Sequence, residues 1–381
     1  MKKLLVKFIY NLLKLFYKKK STSHTNVFNK IIIFLPNGIG NVLMHFPALQ
    51  YLKIKTNYQK IIAITPSYSY PLLKEHFHID EYIFWDKYKS FIKKVFLIYK
   101  LRKYKFDLLI KFFPFKGLWV SIIIALIKSK NKISFYDKKI PEMYNLDFSF
   151  LYNFTIDDTA KQHDVELNLY LLTQFFNDRF HKPKFRVPIK EKFQKEAFSF
   201  LNEYNINNNT VLVGFAIGSK QNTKYKRWEL EKYIKLGNYI ANQYNAKILL
   251  LGGPDEFELL HQAHSQIKNS IVPDKIFNLN TIMAIIKRCN LFISNDSALM
   301  HFAAATNTPV IAIFGPTNYK RTGPYSPNSI NIFNKIKCYP CYDKGIPTEC
   351  KLNAPPPCIK QISVAEVQKA VDSILKGDIF I

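Results

Sequence analysis

The sequence predicts an α/β fold with two parallel sheets, and three observations lead to this fold class. Short apolar runs alternate along the chain with stretches of helical periodicity, as buried parallel strands alternate with crossover helices. With 381 residues the chain can form two domains of ordinary size, each with a full core. Hydrophobic residues make up 48% of the sequence, which excludes a disordered chain.

The first predicted element is an amphipathic helix within residues 1–25. Lys7, Asn11, Lys14 and Lys18 are spaced i, i+4, i+7 and i+11, so they form one narrow polar stripe on an otherwise apolar helix. Such a helix lies in a bilayer interface, with Lys18 and the two lysines after it at the phosphate headgroups. Packing on the protein itself is one alternative. An export or membrane-spanning signal is another, although lysines interrupt the apolar run and no small-residue cleavage site follows.

The charge distribution agrees with a membrane surface as partner. The net charge is +27, and no Asp or Glu precedes Glu75. Basic proteins often bind nucleic acid, but the sequence has no helix-turn-helix, zinc-finger or RNA-binding signature, so no nucleic-acid partner is predicted. An anionic membrane on the cytoplasmic side fits better. A lysine-rich background composition is the alternative explanation of the charge.

The predicted strands are short apolar segments that end at polar or glycine-containing loops. In chain order they are Ile31–Leu35, Ile61–Thr65, Leu108–Phe112, Val211–Phe215, Ile248–Leu251, Leu291–Ser294 and Val310–Phe314. The apolar segment Leu118–Ile127 is too short to span a bilayer and predicts a core helix.

A linker is predicted at residues 181–191, which contain two prolines and many charges. It divides the chain into domains at 26–185 and 186–362. Residues 363–381 form a separate terminal element, whose helix begins at Ser363. Ser363 and Glu366 have the spacing of a capping box.

The segment Ser294–Thr317 carries the clearest functional signal. It predicts a strand, a polar loop with Asp296 and Ser297, a small-residue helix through His301, and a second buried strand. Open α/β sheets bind ligands at the carboxyl ends of their strands, where free N–H groups and the helix dipole favour an anion. In the alternative interpretation Asp296 and Ser297 only cap the helix.

The same segment resembles the signature of glycosyltransferase family 9, the ADP-heptose:lipopolysaccharide heptosyltransferases. The matching residues are Asp296, Ser297, His301, Ala303–Ala305, Pro309 and Phe314–Thr317, while Ala298 replaces the usual glycine. Three further blocks resemble the family in the same order: residues 31–53, 212–228 and 248–256.

This resemblance implies a GT-B fold, in which two Rossmann-like domains face each other across a cleft. The N-terminal domain would bind the acceptor and the C-terminal domain the nucleotide sugar, with the last helix packing back on the N-terminal domain. The implied reaction moves heptose from ADP-heptose to a lipopolysaccharide-core or other lipid-linked acceptor, with inversion and without a catalytic metal or other cofactor. A different nucleotide sugar is one alternative, and a nucleotide-sugar-binding membrane protein with impaired catalysis is another.

The predicted donor-site residues suit a diphosphate that gains negative charge as the glycosidic bond breaks. Ser219 and backbone amides of the Gly218 loop can donate hydrogen bonds, and Lys226 with Arg227 can supply positive charge. Asp255 or Glu256, just after a Gly-Gly turn, can accept from ribose hydroxyls. By resemblance Lys226 contacts phosphate.

The resemblance also implies that Asp296 holds sugar hydroxyls and that Ser297 and His301 help to hold the donor. The alternatives are a solvated basic turn for Lys226 and Arg227, a surface carboxylate for Glu256, and an ordinary helix residue for His301.

The predicted acceptor loop contains Gly38, Gly40 and Asn41, and it departs from the family pattern. The family usually has an aspartate at the position of Asn41, taken to be the general base. An amide cannot accept a proton at neutral pH, although it can orient a hydroxyl. His45, one helical turn on, can replace the base; otherwise a phosphate of the donor or acceptor accepts the proton, or activity is lost or changed. A packed helix histidine is the alternative for His45.

Four cysteines, Cys338, Cys341, Cys350 and Cys358, cluster in a proline-rich region. Such a set can bind a structural zinc ion, but the second pair is seven residues apart instead of two, a poor match to zinc ribbons. Free or disulfide-forming thiols are the alternative.

Overall fold

The protein is described by a computed structural model of two compact units, residues 1–184 and 185–381. The division falls within the proline-containing segment 181–191. The structure describes residues 2–17, 27–114, 117–136, 146–159, 161–219, 221–341, 350 and 356–378.

The first unit, unit 1, contains a six-stranded parallel sheet with the order β3-β2-β1-β4-β5-β6. Its strands are β1 (Val27–Phe34), β2 (Asn57–Thr65), β3 (Glu81–Phe84), β4 (Phe106–Lys111), β5 (Ser129–Tyr136) and β6 (Phe154–Asp157). The central strand β1 is buried from Ile31 to Phe34, because helices cover both faces of a parallel sheet.

Seven α-helices lie within the described residues of unit 1. They are α1 (Lys2–Phe16), α2 (Ile39–Met44), α3 (Phe46–Lys55), α4 (Tyr70–His76), α5 (Phe91–Arg102), α6 (Leu118–Leu126) and α7 (Asp164–Phe175). Helices α1, α5 and α6 pack on one core together with Ile32 and Phe34 of β1. The predicted core helix at Leu118–Ile127 is confirmed as α6, with Val120, Ile123 and Ile124 buried.

The second unit, unit 2, repeats the architecture with the order β12-β11-β10-β7-β8-β9, again all parallel. Its strands are β7 (Leu212–Ala216), β8 (Lys247–Leu250), β9 (Ser270–Ile271), β10 (Leu291–Asn295), β11 (Val310–Phe314) and β12 (Ser329–Phe333). Its helices are α8 (Glu191–Glu203), α9 (Leu230–Tyr244), α10 (Phe257–His264), α11 (Leu279–Lys287), α12 (Ala298–Thr306), α13 (Tyr319–Thr322), α14 (Pro357–Lys360) and α15 (Val364–Leu375).

The terminal helix α15 contributes to the core of unit 2, and the packing on the N-terminal domain that the resemblance implied stays a prediction. Its side chains Val367, Val371 and Ile374 belong to the core of unit 2. The Asp372 carboxylate accepts hydrogen bonds from the hydroxyls of Tyr239 and Tyr244. This apolar face with a polar edge explains why the helix packs there.

All seven predicted strands are confirmed to within a few residues, but five strands escaped prediction. β3, β6, β9 and β12 are outer strands and are only partly buried, and their apolar stretches are short or interrupted by polar residues. β5 begins with four polar residues. Among the described residues, no helix is both long and apolar enough to cross a membrane.

Candidate functional site

The predicted donor-site residues of unit 2 lie in loops at the carboxyl ends of β7, β8 and β10. These strands are neighbours in the sheet, with the order β10-β7-β8, and β11 lies beside β10. Loops that follow neighbouring parallel strands meet at one edge. The structure therefore brings together side chains from segments up to about 100 residues apart, in the arrangement that α/β proteins use for ligands.

The central feature of this edge is a buried ion pair between Lys226 and Asp296. Lys226 Nζ donates to Asp296 Oδ2 at 2.7 Å, and both side chains are about 90% buried, with exposed fractions of 11% and 10%. Burial raises the pKa of the Asp296 carboxyl, but the Lys226 ammonium and the Thr317 hydroxyl outweigh it and hold the pKa below its usual value. Asp296 is therefore ionised at neutral pH and neutralises Lys226.

Asn295, a residue that sequence reasoning missed, fixes the two loops that carry this pair. Its Nδ2 donates to the Ile217 carbonyl at 2.8 Å, and its Oδ1 accepts from the Trp228 backbone N–H at 2.9 Å and the Tyr233 hydroxyl at 3.1 Å. Asn295 is fully buried, so these bonds form where an unpaired amide would be costly. The signal available in the sequence was a polar residue at the end of an apolar strand.

Arg227 holds the Ser219 loop. Its Nε donates to Ser219 Oγ at 3.1 Å, and one terminal nitrogen contacts the Ser219 carbonyl. The Ser219 hydroxyl itself donates to the Thr223 carbonyl at 2.9 Å. In this structure Arg227 and Ser219 therefore position the loop, and their contacts with a diphosphate stay a prediction.

Glu256 packs against the same loop. Its Oε2 accepts from the Gly253 backbone N–H at 2.8 Å. A Cβ atom at Gly218 would clash with the Glu256 carboxylate, so a side chain at this position would displace that carboxylate. Burial raises the pKa of Glu256, which the Gly253 N–H partly opposes. Glu256 is thus a partly buried carboxylate, in contrast to the surface carboxylate of the alternative interpretation.

Ser297 and His301 lie at the start of α12, beside Asp296. Ser297 is the N-terminal cap residue of the helix, and its Oγ is 3.0 Å from Ser294 Oγ. His301 is buried and close enough to Asp296 to contribute to the lowered pKa of its carboxyl. The predicted donor residues therefore fall into two sets. The first set surrounds the buried ion pair and contains Lys226, Asp296, Ser297 and His301. The second set holds the adjacent loop together and contains Gly218, Ser219, Arg227 and Glu256.

The predicted acceptor loop of unit 1 follows β1. Gly38 has φ 104°, a backbone conformation that favours glycine, and its N–H donates to the Tyr68 hydroxyl at 2.9 Å. Asn41 Nδ2 donates to the Asn37 carbonyl at 2.8 Å, which orients the amide at the start of α2. Gly40 is buried in the first turn of the same helix. Tyr68, thirty residues away, was not predicted.

The hypothesis that His45 is the general base is not supported by its surroundings. His45 is fully buried, with Nδ1 against the Asn41 carbonyl and Nε2 2.7 Å from the Phe113 carbonyl. Burial lowers its pKa to about 4, although these two carbonyls and the Asn168 side chain oppose the shift. With both ring nitrogens facing backbone oxygens, His45 is a packed core histidine that braces the acceptor loop.

A stability measurement tests this correction. The pKa of His45 is about 4 in the folded protein against 6.5 for the ordinary group, so the unfolded state binds the additional proton between these values. The His45 contribution to stability is thus complete above pH 6.5 and declines as the pH falls to about 4, by roughly 3 kcal/mol. Denaturant unfolding of His45→Gln should show a weaker loss of stability over this range than the wild type. His181→Gln, at an exposed histidine outside the acceptor loop, is the control.

A comparison with known families identifies the chain. The model of Glycosyltransferase family 9 (heptosyltransferase) matches residues 95–352. The chain belongs to glycosyltransferase family 9. It is therefore a glycosyltransferase, as the sequence motifs predicted.

Curated relatives align with this family 9 protein over most of its length. Lipooligosaccharide heptosyltransferase 2 of Campylobacter jejuni is 25% identical over 355 residues, which cover 91% of this chain and 99% of the relative. Lipopolysaccharide heptosyltransferase 3 of Escherichia coli is 26% identical over 350 residues, covering 88% and 96%.

Solved structures confirm the predicted GT-B fold class. The glycosyltransferase family 9 structure from Veillonella parvula has a TM-score of 0.75 at 20% identity and covers 94% of this chain and 100% of its own. The ADP-heptose heptosyltransferase II of E. coli has a TM-score of 0.68 at 18% identity, with coverages of 92% and 99%. The E. coli heptosyltransferase WaaC with ADP has a TM-score of 0.64 at 18% identity, with coverages of 91% and 99%.

Among the residues that the structure describes, the clustered cysteines of the family 9 chain are not part of a recognisable metal centre. Within the part of the chain that the structure describes, no three His, Cys, Asp or Glu side chains are grouped to hold an ion. Burial raises the pKa of Cys358 to about 11, and the nearby Cys341, Cys338 and Cys350 add to this shift. Cys358 is thus a buried thiol, and the described geometry gives no support to the zinc hypothesis.

Proposed function

We propose that the protein transfers heptose from ADP-heptose to a lipopolysaccharide-core or other lipid-linked acceptor, with inversion and without a catalytic metal. The observation that carries the proposal is the buried pair of Lys226 and Asp296 at the carboxyl edge of the second sheet. Family membership and the names of the relatives, several of them heptosyltransferases of lipopolysaccharide or lipooligosaccharide, support the choice of donor and acceptor.

The donor would bind with its diphosphate near Lys226 and the backbone amides after Gly218. In the free protein the charge of Lys226 is neutralised by Asp296 at 2.7 Å. Sugar hydroxyls that donate to Asp296 would share this carboxylate, leaving more of the Lys226 charge for the diphosphate. Since the diphosphate becomes more negative as the glycosidic bond breaks, this attraction is stronger in the transition state than in the ground state.

The amide nitrogen of Asn41 already donates a hydrogen bond to the Asn37 carbonyl. The amide oxygen of Asn41 would therefore be the atom that orients the acceptor hydroxyl. Asn41 cannot accept the proton, and His45 is enclosed by the Asn41 and Phe113 carbonyls. We therefore assign the proton to a phosphate oxygen of the donor or acceptor. The alternative function is a nucleotide-sugar-binding membrane protein with impaired catalysis. It also follows from the presence of Asn41 where the family usually has aspartate.

A nucleotide-sugar panel tests the proposal. Calorimetry with ADP-heptose, ADP-glucose, UDP-glucose and GDP-mannose identifies the donor, and a transfer assay with a lipid-linked core acceptor identifies the activity. We expect binding and transfer with ADP-heptose. Binding of another nucleotide sugar in its place would indicate the alternative donor, and binding of ADP-heptose without transfer would indicate the binding protein.

The role of Asp296 can be separated from that of the nucleotide site by Asp296→Asn. This change removes the negative charge that neutralises Lys226, so the affinity for free ADP should be unchanged or higher. The affinity for ADP-heptose should fall by about tenfold, because the amide is a weaker acceptor for sugar hydroxyls. Calorimetry with both ligands measures the difference. Asp274→Asn, at an exposed carboxylate near Tyr204 at the end of α8, is the control, and equal losses for ADP and ADP-heptose would contradict the role.

A further inference from the structure

Helix α5 of unit 1 is apolar on the side that faces away from the core. Its side chains Leu97, Ile98 and Leu101 are buried in the core of the unit. The opposite side carries five large apolar residues with exposed fractions between 46% and 79%, namely Phe91, Ile92, Val95, Phe96 and Tyr99. Single exposed apolar residues are ordinary, but five on one helix face mark an interaction surface.

Helix α1 has the same two-sided character. One side of the helix packs on the core through Tyr10 and Leu13. Tyr17, which directly follows the helix, also packs there, and its hydroxyl donates to the Leu151 carbonyl at 2.9 Å. The exposed side carries an apolar stripe at the spacing i, i+4, i+8 and i+11, formed by Leu4, Phe8, Leu12 and Leu15. The helix is therefore docked on the protein through one face, while a second apolar face is open. Lys18–Lys20, expected at headgroups, lie outside the described residues.

Both helices belong to the same layer. Residues of α1, α5 and α6 pack on one core, whose strand residues Ile32, Phe34, Ile62 and Ile64 lie on one face of the sheet. The two exposed stripes are thus on the outer side of a single helical layer of unit 1. We name these nine residues of α1 and α5 the outer apolar face.

The charged residues of α1 and α5 themselves are all basic, and of these Lys100 of α5 is paired with Glu81 of β3. Neither α1 nor α5 contains an Asp or Glu. Exposed Lys7 and Lys14 flank the stripe of α1. On α5, Lys94 Nζ lies 4.9 Å from the centre of the Trp119 ring. Lys103 directly follows the helix, and its Nζ lies 4.6 Å from the centre of the Tyr99 ring. Aromatic rings next to lysines are typical of segments that insert into the headgroup region.

We propose that the outer apolar face docks unit 1 on an anionic lipid bilayer, with α5 as a second insertion element that packs on the same core as α1. The charge complementarity selects this occupant: a second copy of a chain with net charge +27 would bring like charges together, whereas an anionic bilayer neutralises them. The inference does not depend on the transfer chemistry and can be tested without any sugar substrate.

The test uses the full chain and sedimentation with vesicles. Phosphatidylcholine vesicles with 30 mol% phosphatidylglycerol should bind the protein, and vesicles of phosphatidylcholine alone should bind it much less. Phe96→Gln on α5 and Phe8→Gln on α1 should each reduce the partition coefficient by about tenfold, since each loses the burial of a large apolar side chain. The double variant should lose more than either single variant.

Phe198→Gln is the matched control, because Phe198 of α8 in unit 2 is 61% exposed and Phe96 is 60% exposed. It should bind vesicles like the intact protein, and thermal unfolding should show that all four variants are folded. Deletion of α1 is a poorer test, since it would uncover the core under Tyr10 and Leu13.

Two results would overturn the proposal. Unchanged binding by Phe96→Gln, or an equal loss with Phe198→Gln, would show that α5 does not insert. If sedimentation equilibrium shows a dimer that Phe96→Gln converts to a monomer while vesicle binding is retained, the surface is an interface between two copies.

Discussion

Replacing Asn41 with aspartate should raise the rate constant of sugar transfer by about 10²–10⁴-fold, the usual contribution of general-base catalysis. The expectation rests on the position of Asn41 at the start of α2, held by the bond from its Nδ2 to the Asn37 carbonyl. A carboxylate there cannot donate to that carbonyl, so it would turn away and become available to the acceptor hydroxyl. Steady-state rates at saturating donor and acceptor measure the effect.

The pH dependence distinguishes a new base from a change in positioning. The Asn41→Asp variant should acquire an acidic limb in its rate profile, where protonation of the carboxyl removes the base. Asn37→Asp, at the exposed neighbouring residue, should leave the rate and the profile unchanged. If Asn41→Asp changes neither, proton transfer does not pass through this position, and the loop only positions the acceptor.

Lys226→Ala should have the largest effect on donor binding. It removes the cation nearest to the proposed diphosphate, so the affinity for ADP-heptose should fall by about 1.5–3 kcal/mol, or roughly 10–150-fold. It also leaves the Asp296 carboxylate buried without its ammonium partner at 2.7 Å. Breaking a buried ion pair in this way commonly lowers the free energy of unfolding by about 3–5 kcal/mol. Calorimetry and denaturant unfolding measure the two effects separately.

A second substitution separates binding from stability. In Lys226→Ala combined with Asp296→Ala, no charge remains unpaired, so part of the lost stability should return while donor binding stays weak. Lys224→Ala, at an exposed lysine in the same segment, should change neither quantity by much. Wild-type affinity in a folded Lys226→Ala variant would remove Lys226 from the donor site and leave it as a structural partner of Asp296.

The central strands and the α6 helix could be predicted from sequence, because each depends on local signals, while the donor role of the loops after β7, β8 and β10 stays a prediction. Apolar runs mark buried parallel strands, and polar residues after them mark the ligand-binding edge. The outer strands were missed because a partly buried strand does not need a long apolar run in its sequence. The contributions of Asn295 and Tyr68 were missed because their hydrogen-bond partners are distant along the chain. The side-chain partners of Asn295 are 62 or more residues away, and the partner of Tyr68 is 30 residues away.

What the sequence determined by itself was the family, the strand and helix alternation, and which residue types reach the binding edge. The tertiary structure decided the partner of each side chain. It paired Lys226 with Asp296 across 70 positions, used Arg227 to hold Ser219, and enclosed His45 between two carbonyls. It also decided which apolar side of α1 and α5 is open. Periodicity shows that a helix face is apolar, but only the packing of the sheet and its neighbouring helices determines which face is covered, because burial depends on distance in space and not on separation along the chain.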